Sequence, residues 1–363
     1  MSSHEAILDL CAEIAPGCRV ETITPLGPDA DVKDADGTEK AIGYGVPLRI
    51  VLRADNGERR EICLHTAKPD EFGHDRRADR AANMLLSYDT FGSIPAHTRA
   101  LDVGAITQNG RFISLRGTGE FYLMTEFLAG HVYAEDLRRA AHQAQLTNHD
   151  EPRADALASI LAKIHEDKPR APAAYRRSIR DLLGSGEGIF GLVDGFPDNV
   201  PLAPPERLMA IERRCLEWRF RLKKREDRLS RIHGDFHPFN ILFGENDIPI
   251  LLDTSRGSMG DPADDVMCLA LNYVFFALEA RPSWAPALGK LWKSFFRTYL
   301  DKTGDTGIFS VAAPFLAWRA LVMANPRWYP SIHATTRHAL LHFVEQALEM
   351  NEFDPDTAER LFA

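Results

Sequence analysis

Apolar and polar positions alternate along "PLRIVLRADNGERREICLHTA" (47–67), on both sides of Asp55-Asn56-Gly57. Asn-Gly between two alternating runs predicts a β-hairpin. The next segment, "GHDRRADRAANMLLSYDTF" (73–91), changes to helical spacing, with Ala78, Ala81, Ala82 and Leu85 on one face. "ALDVGAITQNGRFISL" (100–115) offers a second hairpin turn at Asn109-Gly110, and the apolar run "FYLMTEFL" (121–128) reads as a strand. After Gly130 the pattern is helical. Segments 134–146, 154–168, 204–229, 264–280, 283–300, 311–324 and 337–350 carry apolar residues at 3.6-residue spacing, the third opening on Pro204-Pro205. The Gly/Pro-rich stretch "GSGEGIFGLVDGFPDNVPLAPP" (184–205) reads as an exposed connector. The expected class is α+β, with a small strand-rich N-terminal lobe over residues 1–127 and a larger helical C-terminal lobe over 128–363.

Composition narrows the functional classes. The chain has 363 residues, 45% hydrophobic and 26% charged, and a net charge of -9. That length exceeds what one core usually sustains. The negative charge argues against a nucleic-acid partner. Five scattered cysteines with no C-x-x-C pair argue against a disulfide framework or a zinc ribbon. The acidic first residues do not read as a signal peptide, and no apolar run reaches the roughly 18 residues of a membrane span. The expectation is a reduced, cytoplasmic protein without a membrane partner.

The chemistry concentrates in "IHGDFHPFNILFGENDIPILLDTSRGSMGDPADDV" (232–266). Ile241 to Phe243 is a short strand, Gly244 to Asp247 carries turn chemistry, and Ile248 to Leu252 returns as a second strand with Pro249 tolerable at an edge. Strands pair about 4.8 Å apart. Closing this hairpin therefore sets Asn240 beside Asp253, an amide oxygen and a carboxylate suited to Mg²⁺. Asp235 precedes Asn240 by five residues in "HGDFHPFN", the H-x-D-x-x-x-x-N spacing of a kinase catalytic loop, where the Asp orients a hydroxyl and the Asn holds a metal.

At these residues the chain resembles the aminoglycoside phosphotransferase and choline kinase-like small-molecule kinases. "HGDFHPFNILF" is similar to that family's catalytic loop and "LLDTSRGSMGDPADDV" to its metal segment. "ALASILAKIHE" is similar to the helix before them, and "YLMTEFLAG" to its hinge strand. The resemblance implies a bilobal protein-kinase-like fold with ATP between the lobes. It makes Asp235 the catalytic base and Asn240 and Asp253 the Mg²⁺ ligands, and it turns backbone groups near Glu126, Phe127 and Leu128 toward adenine. The implied partner is a small molecule with an acceptor hydroxyl.

The chain departs from that pattern in several places. Phe239 stands where the family often has Gly. His65 occupies the strand-end position of the phosphate-binding lysine, with Lys68 three residues on. Asp79 or Arg80 falls at the position of the lysine's partner acid, and Gly43 and Gly45 are only a fragment of a G-x-G-x-x-G loop. His233 is expected to brace the catalytic loop, and His237 to brace it or line the site. Asp264 or Asp265 is expected to cap the following helix. Asp261 is expected to be structural, and Arg219 to Arg228 to be a solvated helix face. Two other readings stay open: a nucleotide-binding pseudokinase, and a metallohydrolase using His233, Asp235 and His237. The latter would need a further His and Asp cluster.

Overall fold

Helix α1 (Ser3–Ile14) sets Ile7 and Cys11 against Ile50 and Leu52, and these with Ala15 form a small core. The chain continues through β1 (Cys18–Pro25), β2 (Leu48–Ala54) and β3 (Arg59–Leu64), an antiparallel sheet in the order β1-β2-β3. This is a computed structural model, and it describes residues 3–26, 46–254, 256–280, 284–360 and 362. The hairpin expected at Asp55-Asn56-Gly57 forms. Asn56 Oδ1 accepts the Glu58 amide at 2.9 Å, and Gly57 takes φ 85°, a left-handed value that a side chain would oppose. Neither α1 nor β1 was expected from the sequence. The Gly43 and Gly45 fragment lies outside the described residues.

Helix α2 (Arg77–Phe91) forms where its spacing predicts, yet buries none of its residues; Ala78, Ala81 and Ala82 are exposed. Asp79 accepts the Arg76 amide at 2.9 Å and its guanidinium at 3.1 Å, so it caps the helix start. Arg80 donates to the carbonyl oxygen of His74 at 2.7 Å. The second hairpin joins β4 (Gly104–Ile106) to β5 (Phe112–Ser114), with Gly110 at φ 81°.

The strand expected over 121–128 does not form. Residues 119–130 carry no regular structure, and Tyr122, Leu123 and Phe127 are about nine-tenths exposed at 89, 89 and 92%. An apolar run becomes a strand only where another strand takes its N–H and C=O groups, and none of the described strands does so here.

The chain divides into two compact units, Met1–Thr125 and Glu126–Ala363. The second opens with β6 (His131–Val132) and then α3 (Tyr133–Gln143), α4 (Asp150–His165), α5 (Pro172–Gly184), α6 (Ile189–Asp194) and α7 (Pro205–Leu222). Helix α6 lies inside the stretch read as an exposed connector, and that expectation is corrected: Ile189 and Leu192 are buried. Gly191 sits so close to the Gly186 carbonyl that a Cβ would lie 2.1 Å from its oxygen. The glycines there permit close backbone packing rather than mark a loop.

Next come β7 (Ser230–Arg231), β8 (Ile241–Phe243), β9 (Pro249–Leu251) and β10 (Met259–Gly260). Strand β8 pairs with both β6 and β9, leaving Pro249 on an edge strand, and β7 pairs with β10. Helix α8 (Ala263–Ala280) is buried almost around its whole circumference, as an apolar helix at the centre of a core must be. Helices α9 (Leu288–Thr303), α10 (Ala313–Ala324) and α11 (Ala334–Glu349) complete that core. No helix among the described residues is long and apolar enough to cross a membrane.

The basic run 219–228 is not solvated throughout. Arg228 is buried, with Nε and Nη2 donating to Asp261 at 2.9 and 3.0 Å and Nη1 donating to Asp305 at 2.9 Å. Asp261 also accepts the Tyr175 hydroxyl at 2.9 Å and the Ala263 amide at 3.0 Å, the structural role expected of it.

Candidate active site

The loop that carries Asp235 leaves β7 alongside the segment that leads into β10. The Ile232 amide donates to the Ser258 carbonyl at 3.0 Å. Gly234 then takes φ 85°, and a Cβ there would lie 2.7 Å from the Gly257 carbonyl oxygen. Both the torsion and the close approach require glycine. The start of α8 holds this turn. Asp265 accepts the His233 amide at 2.7 Å and the Gly234 amide at 2.8 Å, and it meets His165 Nε2 at 3.2 Å. His165, the last residue of α4, meets the Tyr299 hydroxyl through Nδ1 at 2.8 Å. Burial alone would raise the Asp265 carboxyl, but His165 and the two loop amides outweigh it and hold the group below its ordinary range.

Asp265 is therefore no simple helix cap. It clamps the Asp235 loop to the core helix.

His233 braces the loop as expected: its Nδ1 accepts the Asp235 amide at 3.3 Å, and its ring stands edge-on to Phe236. His237 both braces and lines. Its Nδ1 accepts the Phe239 amide at 3.2 Å, while Nε2 lies 3.5 Å from Asp235 Oδ2. Phe239 is 44% exposed and tilts over Phe276, with ring centres 6.3 Å apart.

The β8–β9 hairpin forms in the expected register, Ile241 opposite Leu251. The Leu252 amide donates to the Asn240 carbonyl at 2.8 Å, which sets Asp253 one residue beyond Asn240's backbone partner. Asp253 is exposed and takes φ 53°, a left-handed conformation uncommon outside glycine and more often tolerated by Asp and Asn. Asn240 Nδ2 donates to the Asp235 carbonyl at 3.1 Å and to its Oδ2 at 3.3 Å. With the amide nitrogen directed at Asp235, the amide oxygen is the end of the group suited to a cation. Two hard oxygen donors fit Mg²⁺, which keeps waters and shares phosphate oxygens. Among the described residues, no three His, Cys, Asp or Glu side chains converge as the metallohydrolase reading would need.

Around Asp235 lie groups that sequence reasoning missed. Arg319 of α10 donates to Asp235 Oδ1 at 2.7 Å, and Arg256 donates to the same oxygen at 3.0 Å. Arg319 also bonds Asp264 at 3.0 Å. Burial would raise Asp235, yet Arg319, Arg256 and His237 hold it below the ordinary carboxylate range. Asp264 goes the other way. Its burial outweighs Arg319 and Arg256, assisted by the like charge of Asp265, and pushes the carboxyl up to about 6. A signal for Arg319 was present, since it is the one charged residue in the apolar run "APFLAWRALVMA". Arg256 carried no comparable signal.

A pH dependence follows for Asp264. A carboxyl raised from 3.8 to about 6 on folding stabilises the protein fully below 3.8, and that contribution is lost as pH rises to about 6. Asp264→Asn should therefore lose less Tm than the wild type between those pH values. Parallel Tm profiles would refute the assignment.

The remaining expected site residues lie elsewhere in the chain. His65 follows β3 directly and is exposed, as is Lys68. Glu126, Phe127 and Leu128 open the second unit as exposed chain without regular structure.

Among solved structures, the chain is similar to an amicoumacin kinase in complex with AMP-PNP, Ca²⁺ and Ami, at 13% identity over 98% of this chain and 97% of that one, TM-score 0.43. It is similar to a glucosamine kinase in complex with glucosamine, ADP and inorganic phosphate, at 15% identity over 94 and 96% of the chains, TM-score 0.38. It is also similar to the macrolide 2'-phosphotransferase of Brachybacterium faecium, at 16% identity over 95 and 97%, TM-score 0.30. No curated protein matches the sequence. The sequence profile of the phosphotransferase enzyme family (APH) matches residues 95–301, more than half of the chain and the whole of the Asp235 loop and hairpin, and the chain belongs to that family.

Proposed function

We propose that this protein transfers the γ-phosphoryl group of ATP, with Mg²⁺, to a hydroxyl group of a small molecule. One arrangement carries the reading. Asn240 bonds Asp235 through its side-chain nitrogen while its backbone pairs with Leu252, the residue before Asp253. A loop carboxylate, an amide and a hairpin-end carboxylate thus belong to one small piece of chain.

In this reading Asp235 orients the acceptor hydroxyl in line with the γ-phosphate. Asn240 and Asp253 hold Mg²⁺, which supplies positive charge against the phosphate oxygens. The protein does little covalent work in such a transfer, so positioning and charge stabilisation account for most of the catalysis. The left-handed backbone of Asp253 fits a ligand-holding role, because strained torsions concentrate at ligand clamps. Backbone groups of Glu126, Phe127 and Leu128 are assigned to adenine, and His65, with Lys68 as the alternative, to the phosphates. Sugars, amino alcohols and aminocyclitols all offer a suitable hydroxyl.

Thermal unfolding tests the reading directly. ATP or ADP with Mg²⁺ at about 100 times its Kd should stabilise the wild type by about 2.7 kcal/mol, and the Mg²⁺-dependent part of that shift should vanish in Asp253→Ala. No shift at millimolar nucleotide would sink the proposal. A second reading, nucleotide binding without turnover, is favoured by one observation: His65 stands in place of a strand-end lysine. Stabilisation by nucleotide without ADP release for any hydroxyl acceptor would select it.

A further inference from the structure

We propose that Arg319 is a positioning residue for Asp235, a guanidinium that fixes how the catalytic carboxylate faces its acceptor. The inference rests on the phosphotransferase reading above. Arg319 lies 84 residues along the chain from Asp235 and reaches it from α10. Its Nη1 donates to Asp235 Oδ1 at 2.7 Å. Its Nη2 donates to the Gly234 carbonyl at 3.3 Å and to Asp264 Oδ1 at 3.0 Å. A guanidinium is planar and rigid, so one group fixes the carboxylate, the preceding peptide and an acid at the start of α8 together.

The surroundings leave this group little freedom. Arg319 is 6% exposed, and its guanidinium carbon lies 4.0 Å from the Trp318 ring centre. The Arg256 guanidinium lies 3.9 Å from the same ring and donates to the same oxygen of Asp235. Trp318 is itself held, because its Nε1 donates to the Glu187 carbonyl at 2.8 Å. Two cations resting on one fixed ring thus direct Asp235 Oδ1. Among the described residues, Oδ2 keeps only the longer approaches, 3.3 Å from Asn240 Nδ2 and 3.5 Å from His237 Nε2.

The carboxylate is thereby oriented with Oδ2 toward Asn240, the side on which the proposed metal and acceptor meet. A purely structural ion pair would need only Asp264. The bond to the more exposed Asp235 goes beyond that need. Arg319 Nε is buried and finds no hydrogen-bond partner among the described residues, so the group sits where the two acids direct its forked end.

Arg319→Ala and Arg319→Lys test the inference by three measurements. These are stabilisation by AMP-PNP with Mg²⁺, steady-state ADP release, and hydrogen exchange of the 232–240 amides. Both variants should keep nucleotide stabilisation and KM for ATP while kcat falls about 100-fold, the cost of a small misplacement at a reacting group. Loop amides should exchange faster, and millimolar guanidinium should restore part of the Arg319→Ala rate. If Arg319→Ala fails to fold, Arg319→Lys decides, since it keeps the charge but cannot bridge three acceptors. Wild-type kcat together with wild-type loop exchange would overturn the proposal. A wild-type protein with neither nucleotide stabilisation nor ADP release would instead sink the phosphotransferase reading. Loop exchange alone would then decide whether Arg319 positions Asp235.

Discussion

Asp235→Asn should lower kcat by about 10³-fold, within the range that a positioned acid–base group contributes, with nucleotide stabilisation unchanged. Asparagine keeps the shape of the side chain and removes its charge. The carboxylate that Arg319 and Arg256 hold ionised is then absent, and the amide cannot orient an acceptor hydroxyl as an anion does. The fold should persist because Arg319 retains Asp264 at 3.0 Å. The measurement is ADP release at saturating ATP, beside a thermal shift with AMP-PNP and Mg²⁺. Wild-type turnover in this variant would remove Asp235 from the mechanism. A lost nucleotide shift would move its role from the acceptor to the nucleotide.

The second large effect falls on stability. Asp265→Ala should cost about 3–5 kcal/mol, because it strips a fully buried carboxylate from two loop amides and from His165. The amides of His233 and Gly234 would be left buried without acceptors. Asp265→Asn should cost less, since its oxygen still accepts one amide. The carboxyl titrates below its ordinary value of 3.8. Its contribution is therefore complete above that pH and is lost as pH falls through the lower folded-state value. Urea unfolding at neutral pH reads the loss. A change under about 1 kcal/mol, the range of an exposed pair, would show that Asp265 does not hold the loop.

Much of the candidate site was legible in sequence because its parts are neighbours along the chain. Asp235, Asn240 and Asp253 belong to one loop and one hairpin whose turn residues and strand alternation close locally. The Ile241–Leu251 register follows from that short turn. The two hairpins of the first unit are legible for the same reason, as Gly57 and Gly110 supply the positive φ that their turns need. The helices of the second unit follow from apolar spacing.

The errors share a different cause. The run 121–128 has strand composition but no strand to pair with among the described residues, and β structure depends on a partner. The glycines of 184–195 read as loop punctuation because the Gly191–Gly186 approach is invisible without the packed chain. The local pattern of Arg219 to Arg228 says nothing of Asp261 and Asp305, which bury Arg228.

The sequence by itself determined which residues the candidate site brings together, a carboxylate, an amide and a second carboxylate at spacings that local folding converts into neighbours. Only the tertiary structure decided what surrounds Asp235 and its loop. Arg319 reaches Asp235 across 84 residues, and Asp265 reaches the His233 amide across 32. Such contacts depend on how α8 and α10 pack, and packing is a property of the whole core rather than of any local pattern.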